Sequence, residues 1–108
     1  MITDKTNKII KVLLEEIKQK YPDFLGVYLF GSRARSDFHE DSDYDLAIIF
    51  SRQIDSQLKR EISSIIALIM VEYDVIIDNP VLNYKDLIEP ITPLRENIKK
   101  EGIFYAAA

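Results

Sequence analysis

The run Asp43 to Phe50, DYDLAIIF, constrains the fold more than any other stretch of the chain. Beyond its carboxylates it is apolar at consecutive positions. A strand with one wet face would alternate, so apolar residues on both faces mark a central strand in a covered sheet. A second run, Phe24 to Phe30, is aromatic, β-branched and apolar, and reads as another buried strand. Strands buried on both faces need helices, and helical periods flank them. Asp4 can cap a helix running to about Lys20, in which Ile9, Ile10, Leu13, Leu14 and Ile17 recur at three- and four-residue steps. Tyr21-Pro22-Asp23 stops it, because the residue before proline is pushed out of the helical region. Ile54, Leu58, Ile62, Ile65 and Ile69 predict a longer helix, Ile54 to Val71. A third strand is expected over Tyr73 to Ile77, broken by Asn79-Pro80. The stretch through Asn83 and Pro90 should hold a short helix, and a last helix should run from about Thr92 to Lys100, closed by Gly102. Interleaved helices and strands imply an α/β fold, a small sheet packed with helices. Strand order is not readable from such patterns.

The length, 108 residues, suits one domain with a modest core, read as residues 1–105 with Ala106 to Ala108 as a tail. A net charge of -4 argues against a protein that coats a polyanion, so no direct polynucleotide binding is expected. It leaves room for a single nucleotide, whose phosphates a metal ion can neutralise. The absence of cysteine removes disulfides and thiolate metal sites, and one histidine, His39, cannot build a multi-histidine zinc site. The longest apolar run, Ile65 to Val71, is too short to cross a bilayer, and the polar start MITDKTNK has no secretory core. The expected location is cytoplasmic.

Chemistry concentrates in GSRARSDFHEDSDYDL, Gly31 to Leu46. Side chains two apart on a strand point the same way, so Asp43 and Asp45 project together and Tyr44 faces the other side. Two carboxylates that close repel unless a cation lies between them or one takes up a proton. Magnesium suits such a pair, since it prefers oxygen ligands and shares them with substrate phosphate. Standing alone, Asp-x-Asp is more often solvated charge at a strand start, as Asp37 and Asp41 are read here. The apolar run that follows at once raises its weight, because a carboxylate on a buried strand is costly to leave unpaired. Gly31-Ser32 by itself is an ordinary strand-ending turn. It becomes a phosphate cradle if glycine admits a ligand close to the backbone, free N–H groups face an anion, and the Ser32 hydroxyl adds a donor. Arg33 and Arg35 sit on the same turn and can fork onto phosphate, though each could equally be a surface arginine. A third carboxylate would complete a two-metal centre, in which two ions clamp the attacking and leaving oxygens. Asp74, inside the expected strand EYDVIID, is the candidate; Glu72 and Asp78 are its rivals at the ends.

Gly31-Ser32, the small residue Ser36, Asp43-x-Asp45 and the later Asp74 together resemble the DNA polymerase β-like nucleotidyltransferase superfamily. The short form is most similar to the minimal nucleotidyltransferase (MNT) proteins, often the antitoxin half of a HEPN/MNT toxin–antitoxin pair. The resemblance implies a polymerase β-like core with a mixed sheet. It implies that Gly31 and Ser32 hold the triphosphate of ATP, with Arg35 at a position that is often a phosphate-binding arginine. It further implies that Asp43 and Asp45 bind two Mg2+ ions and that Asp74 holds the catalytic metal and assists removal of the acceptor proton. Family members usually carry glycine where this chain has Ser36, so a left-handed backbone there would be strained. By the same analogy the reaction is transfer of AMP to a hydroxyl, a tyrosine, of a cognate HEPN ribonuclease toxin.

Two other readings stay open. The chain could neutralise its partner by covering it, without chemistry. It could instead modify a small hydroxylated molecule, although it lacks an added domain to grip one.

Overall fold

Thr3 rather than Asp4 caps the first helix of the computed structural model, which describes residues 2–89 and 92–108. The Thr3 hydroxyl accepts from the Thr6 N–H at 3.1 Å, and Asp4 falls in the first turn, where a negative charge suits the helix dipole. Helix α1, Asp4–Lys20, buries Ile9, Ile10, Leu13 and Ile17 and ends at Tyr21, as the sequence predicts. Strand β1, Phe24–Phe30, leads into a four-residue helix α2, Ser32–Arg35, and strand β2 is Tyr44–Phe50. Helix α3, Ser56–Tyr73, starts at Asp55, whose carboxylate accepts from the Leu58 N–H at 2.8 Å.

After α3 the chain departs from the sequence expectation. The third strand is not Tyr73 to Ile77. Tyr73 still belongs to α3, and Asp74 caps that helix in the left-handed conformation, with φ 53°. Aspartate is one of the few residues that tolerates this backbone. The strand β3 is Ile77–Asp78 only, followed by β4, Val81–Asn83. Then come α4, Lys85–Ile88, α5, Pro93–Glu101, and β5, Ile103–Ala106. The short helix expected in the stretch through Asn83 and Pro90 is α4, and Pro90 itself lies outside the described residues. Ala106, read from sequence as the start of a tail, pairs with Gly26, and the Ala107 N–H donates to the Leu25 carbonyl at 3.0 Å.

The sheet is mixed. β1 runs antiparallel to β2 and to β5, while β3 and β4 both lie parallel to β2 along its other edge, giving the order β3-β2-β1-β5 with β4 beside β2. Leu46, Ile48 and Phe50 of β2 face α1 and α3 in the larger core, with Val27, Leu29, Ile62 and Ile66. Ala47 and Ile49 face the other way, into a smaller cluster with Phe30, Leu82, Leu87 of α4 and Ile98 of α5. β2 is therefore apolar on both faces because each face meets its own helical layer. Among the described residues no helix is long and apolar enough to cross a membrane.

Candidate active site

The alternation along β2 decides where its acids go. Tyr44 is buried in the larger core, so Asp45 shares the face of Ala47 and Ile49, toward α4 and α5. Asp45 lies opposite Phe30 on β1 and opposite Asp78 on β3. Gly31 follows Phe30 with φ 69°, and a Cβ there would fall inside the Asp45 carboxylate, overlapping Oδ2 and only 3.0 Å from Cγ. Glycine is thus required twice, by the positive φ and by the carboxylate lying on its bare Cα. The Gly31 carbonyl then closes α2 by accepting from the Ala34 and Arg35 N–H groups at 3.1 and 3.2 Å. The N–H groups of Ser32 and Arg33 precede that first intrahelical bond, so they belong to the donors that a helix start leaves without helical partners. The turn ends at Ser36, which adopts the left-handed conformation, φ 68°, that a glycine would take without strain.

Three acids approach one another at the start of β2. Asp45 is half-buried and Asp43 and Asp78 are exposed. Burial raises the proton affinity of Asp45, the nearby charges of Asp78 and Asp43 raise it further, and Arg35 pulls it down. Asp43 precedes β2 by one residue and, at two positions from Asp45, falls on the same side of the strand. The donor set is all carboxylate oxygen, as magnesium requires, and the mutual repulsion at Asp45 is what a bound cation relieves. Among the described residues no three acids or histidines are already gathered into a cation cage. The fit is therefore one of donor chemistry and charge, around Asp45 as its centre.

Asp74 does not join this group. As the cap of α3 it is exposed and lines a separate cavity of about 250 Å³ with Lys5, Arg33, Glu40, Asp41 and Ser42. The acid that the sheet brings beside Asp45 is Asp78, one of the rivals. On sequence alone Asp74 is the stronger candidate, because Val75, Ile76 and Ile77 after it read as one strand. The helical stripe of α3 in fact runs on to Tyr73, and pairing with β2 begins only at Ile77. The available signal was Asn79-Pro80: a break directly after Asp78 marks it as the end of a strand that points at the site.

The two arginines of the turn part company. Arg33 is buried, 5 % exposed. Its Nη2 donates to the carbonyls of Ser42 at 2.9 Å and Glu40 at 3.1 Å, its Nε to Ser42 at 3.3 Å, and its guanidinium lies 4.0 Å from the centre of the Tyr44 ring and 4.7 Å from that of Phe38. It fastens the loop 37–43 that delivers Asp43 and is not available to phosphate. Arg35 stays exposed, paired with Asp37 at 3.3 Å and Glu101 at 2.9 Å. The Ser42 hydroxyl accepts from the His39 N–H at 2.8 Å, which tightens the same loop.

Residues 7–104 match the family described as Polymerase beta, Nucleotidyltransferase. A relative from Methanocaldococcus jannaschii, provisionally named a protein adenylyltransferase, is 32% identical over 97 residues, 89% of this chain and 94% of its own. The fold is shared with a chain in the crystal structure of a toxin–antitoxin with AMP-PNP, at a TM-score of 0.63 and 24% identity over 94% of this chain and 72% of that one. It is also shared with a chain in the structure of a tri-AMPylated Shewanella oneidensis HEPN toxin in complex with MNT antitoxin, at a TM-score of 0.57 and 23% identity, over 93% and 67% of the two chains.

Proposed function

Because the chain belongs to the polymerase β nucleotidyltransferase family, we propose that it transfers AMP from ATP to a hydroxyl of a partner protein, a HEPN-family ribonuclease toxin, in the cytoplasm, and so acts as an antitoxin. The observation that carries this reading is the Asp45 carboxylate seated on the bare Cα of Gly31, with Asp78 beside it in the next strand. That arrangement sets acids against the turn where a triphosphate would lie. The relative named for protein adenylyl transfer and the neighbour holding an AMPylated HEPN toxin support the choice of donor and acceptor.

Gly31 and Ser32 would bind the triphosphate through backbone N–H groups and the Ser32 hydroxyl. Arg35 would add a charged donor from the end of the same turn. Asp43, Asp45 and Asp78 would hold two Mg2+ ions, which when bound neutralise the phosphates and lower the pKa of the acceptor hydroxyl. The acceptor oxygen forms a bond to the α-phosphorus as the α–β bridging bond breaks. Pyrophosphate leaves, and the hydroxyl proton passes to Asp78, the acid opposite Asp45 in β3. A phosphodiester on the toxin would put bulk and negative charge beside its RNA-cleaving site and repel RNA.

Labelled ATP, magnesium chloride and the protein encoded beside this one supply the test. Label should appear on that partner with the wild-type chain and not with the double variant Asp43→Asn, Asp45→Asn. Absence of label with a folded wild-type chain refutes transfer. A second reading, neutralisation by binding alone, draws on Ser36, whose left-handed backbone loads the phosphate turn with strain. The same double variant separates the two: full neutralisation of the toxin without transfer establishes masking.

A further inference from the structure

Arg35 is held from two sides. Its Nη1 donates to Glu101 Oε2 at 2.9 Å and its Nε to Asp37 Oδ2 at 3.3 Å. Asp37 is a neighbour in the chain, but Glu101 comes from 66 positions away, at the last residue of α5. Its placement is strict. Gly102 follows, where a Cβ would run into the Ile98 carbonyl and lie 2.8 Å from Cδ1 of Tyr28. Only glycine lets the chain turn there and enter β5, whose Ile103 then pairs with Leu29 of β1. The end of α5 is thereby pinned next to the strand that leads into Gly31. Arg35 is also near enough to the acids for its charge to be felt at Asp45.

We infer that Glu101 is a positioning residue for Arg35: by taking Nη1 it fixes the guanidinium plane and leaves Nη2 as the arm presented to a triphosphate at the Gly31-Ser32 turn. The inference rests on the nucleotide-binding reading given above. An arginine held in place in the free protein loses less side-chain freedom when it meets phosphate, and that saving appears as affinity. A carboxylate on an arginine could also do the reverse and compete with phosphate. The two roles differ in sign, and geometry favours the first, because Glu101 and Asp37 occupy Nη1 and Nε and leave the third nitrogen unused by either.

Binding of a fluorescent ATP analogue in magnesium chloride to the full chain reads the difference. Glu101→Ala should weaken binding by about three- to tenfold, the cost of immobilising one long side chain that is no longer held in place beforehand. Glu101→Gln keeps an oxygen for Nη1 and should stay within about twofold of wild type. In an Arg35→Ala background, Glu101→Ala should change nothing further, since its effect runs through the arginine. The melting temperature should not move, because an exposed pair adds little to stability. Unchanged or tighter binding by Glu101→Ala, or the same loss with Arg35 already removed, overturns the role of Glu101 while leaving nucleotide binding intact. A folded wild-type chain that binds no analogue overturns the nucleotide reading and this inference with it.

Discussion

Asp45 occupies a position that opposes folding. Burial and the charges of Asp78 and Asp43 make its proton harder to remove in the folded chain than in the unfolded one. Ionised Asp45 therefore destabilises the native state at pH values above its raised folded pKa, and the penalty fades as pH falls through the window down to the ordinary aspartate value. Asp45→Asn should accordingly melt at a higher temperature than wild type at pH 7 without added metal. The gap should close as pH falls through the carboxylate range, in thermal scans run over a pH series. Magnesium should raise the melting temperature of wild type more than that of the variant. The reassignment of the third acid is tested the same way, residue against residue. Asp78→Asn should lower AMP transfer by roughly 100-fold or more, as loss of an acid–base group does. Asp74→Asn, at a left-handed cap that asparagine also accepts, should leave the rate within about twofold. Equal losses in the two would return Asp74 to the site. That Asp43 and Asp45 fall on one side of a strand, and that Gly31-Ser32 ends the strand before it, was legible in the sequence because strand alternation and a turn dipeptide are local rules. Asp78 over Asp74 was not, since the choice depends on where α3 stops, and the apolar residues around position 75 satisfy helix and strand patterns alike.

At the scale of elements, what could be read were those with their own periodicity. α1, β1, β2 and α3 lie close to where spacing puts them. The missed strands, β4 and β5, are three and four residues long and exist through pairing with β2 and β1. So short a run has no repeat to detect, and its identity is set by a partner far away in the chain. The long helix α3 shows the complementary case, in which a local cap fixes a boundary. Asp55→Ala removes the acceptor for the Leu58 N–H and should cost about 1 kcal/mol in urea unfolding, the usual worth of such a cap. Asp55→Ser, which can also cap, should recover most of it.

Across the whole molecule the two helical layers are unequal. α1 and α3 bury four aliphatic side chains each, while among the described residues α4 and α5 contribute one buried side chain each on the opposite side, Leu87 and Ile98. At about 1.5–3 kcal/mol for each buried aliphatic side chain, cohesion is concentrated away from the acids. Hydrogen exchange should follow that division. Amides of α3, β1 and β2 should open only with global unfolding, and those of α4 and α5 should exchange by smaller openings several kcal/mol below it, at about the level typical of weakly packed segments. Uniform protection would contradict the division.

One consequence concerns spacing. Asp78 lies opposite Asp45, and Val81 lies opposite Ile48, so Asn79 and Pro80 cross the same interval that Leu46 and Ala47 span on β2. The Ile48 N–H is also bonded to the Pro80 carbonyl, at 2.8 Å. There is no slack between the two short strands, and the segment works as a ruler. A residue inserted after Pro80 would have to bulge or drag Asp78 out of step, and a one-place slip on a pleated ribbon turns its carboxylate to the wrong side. The same insertion after Asp74, ahead of the Ile76 carbonyl that accepts from the Tyr44 N–H, would disturb the helix cap, where the Val75 N–H bonds the Met70 carbonyl, rather than the step of Asp78 along β2.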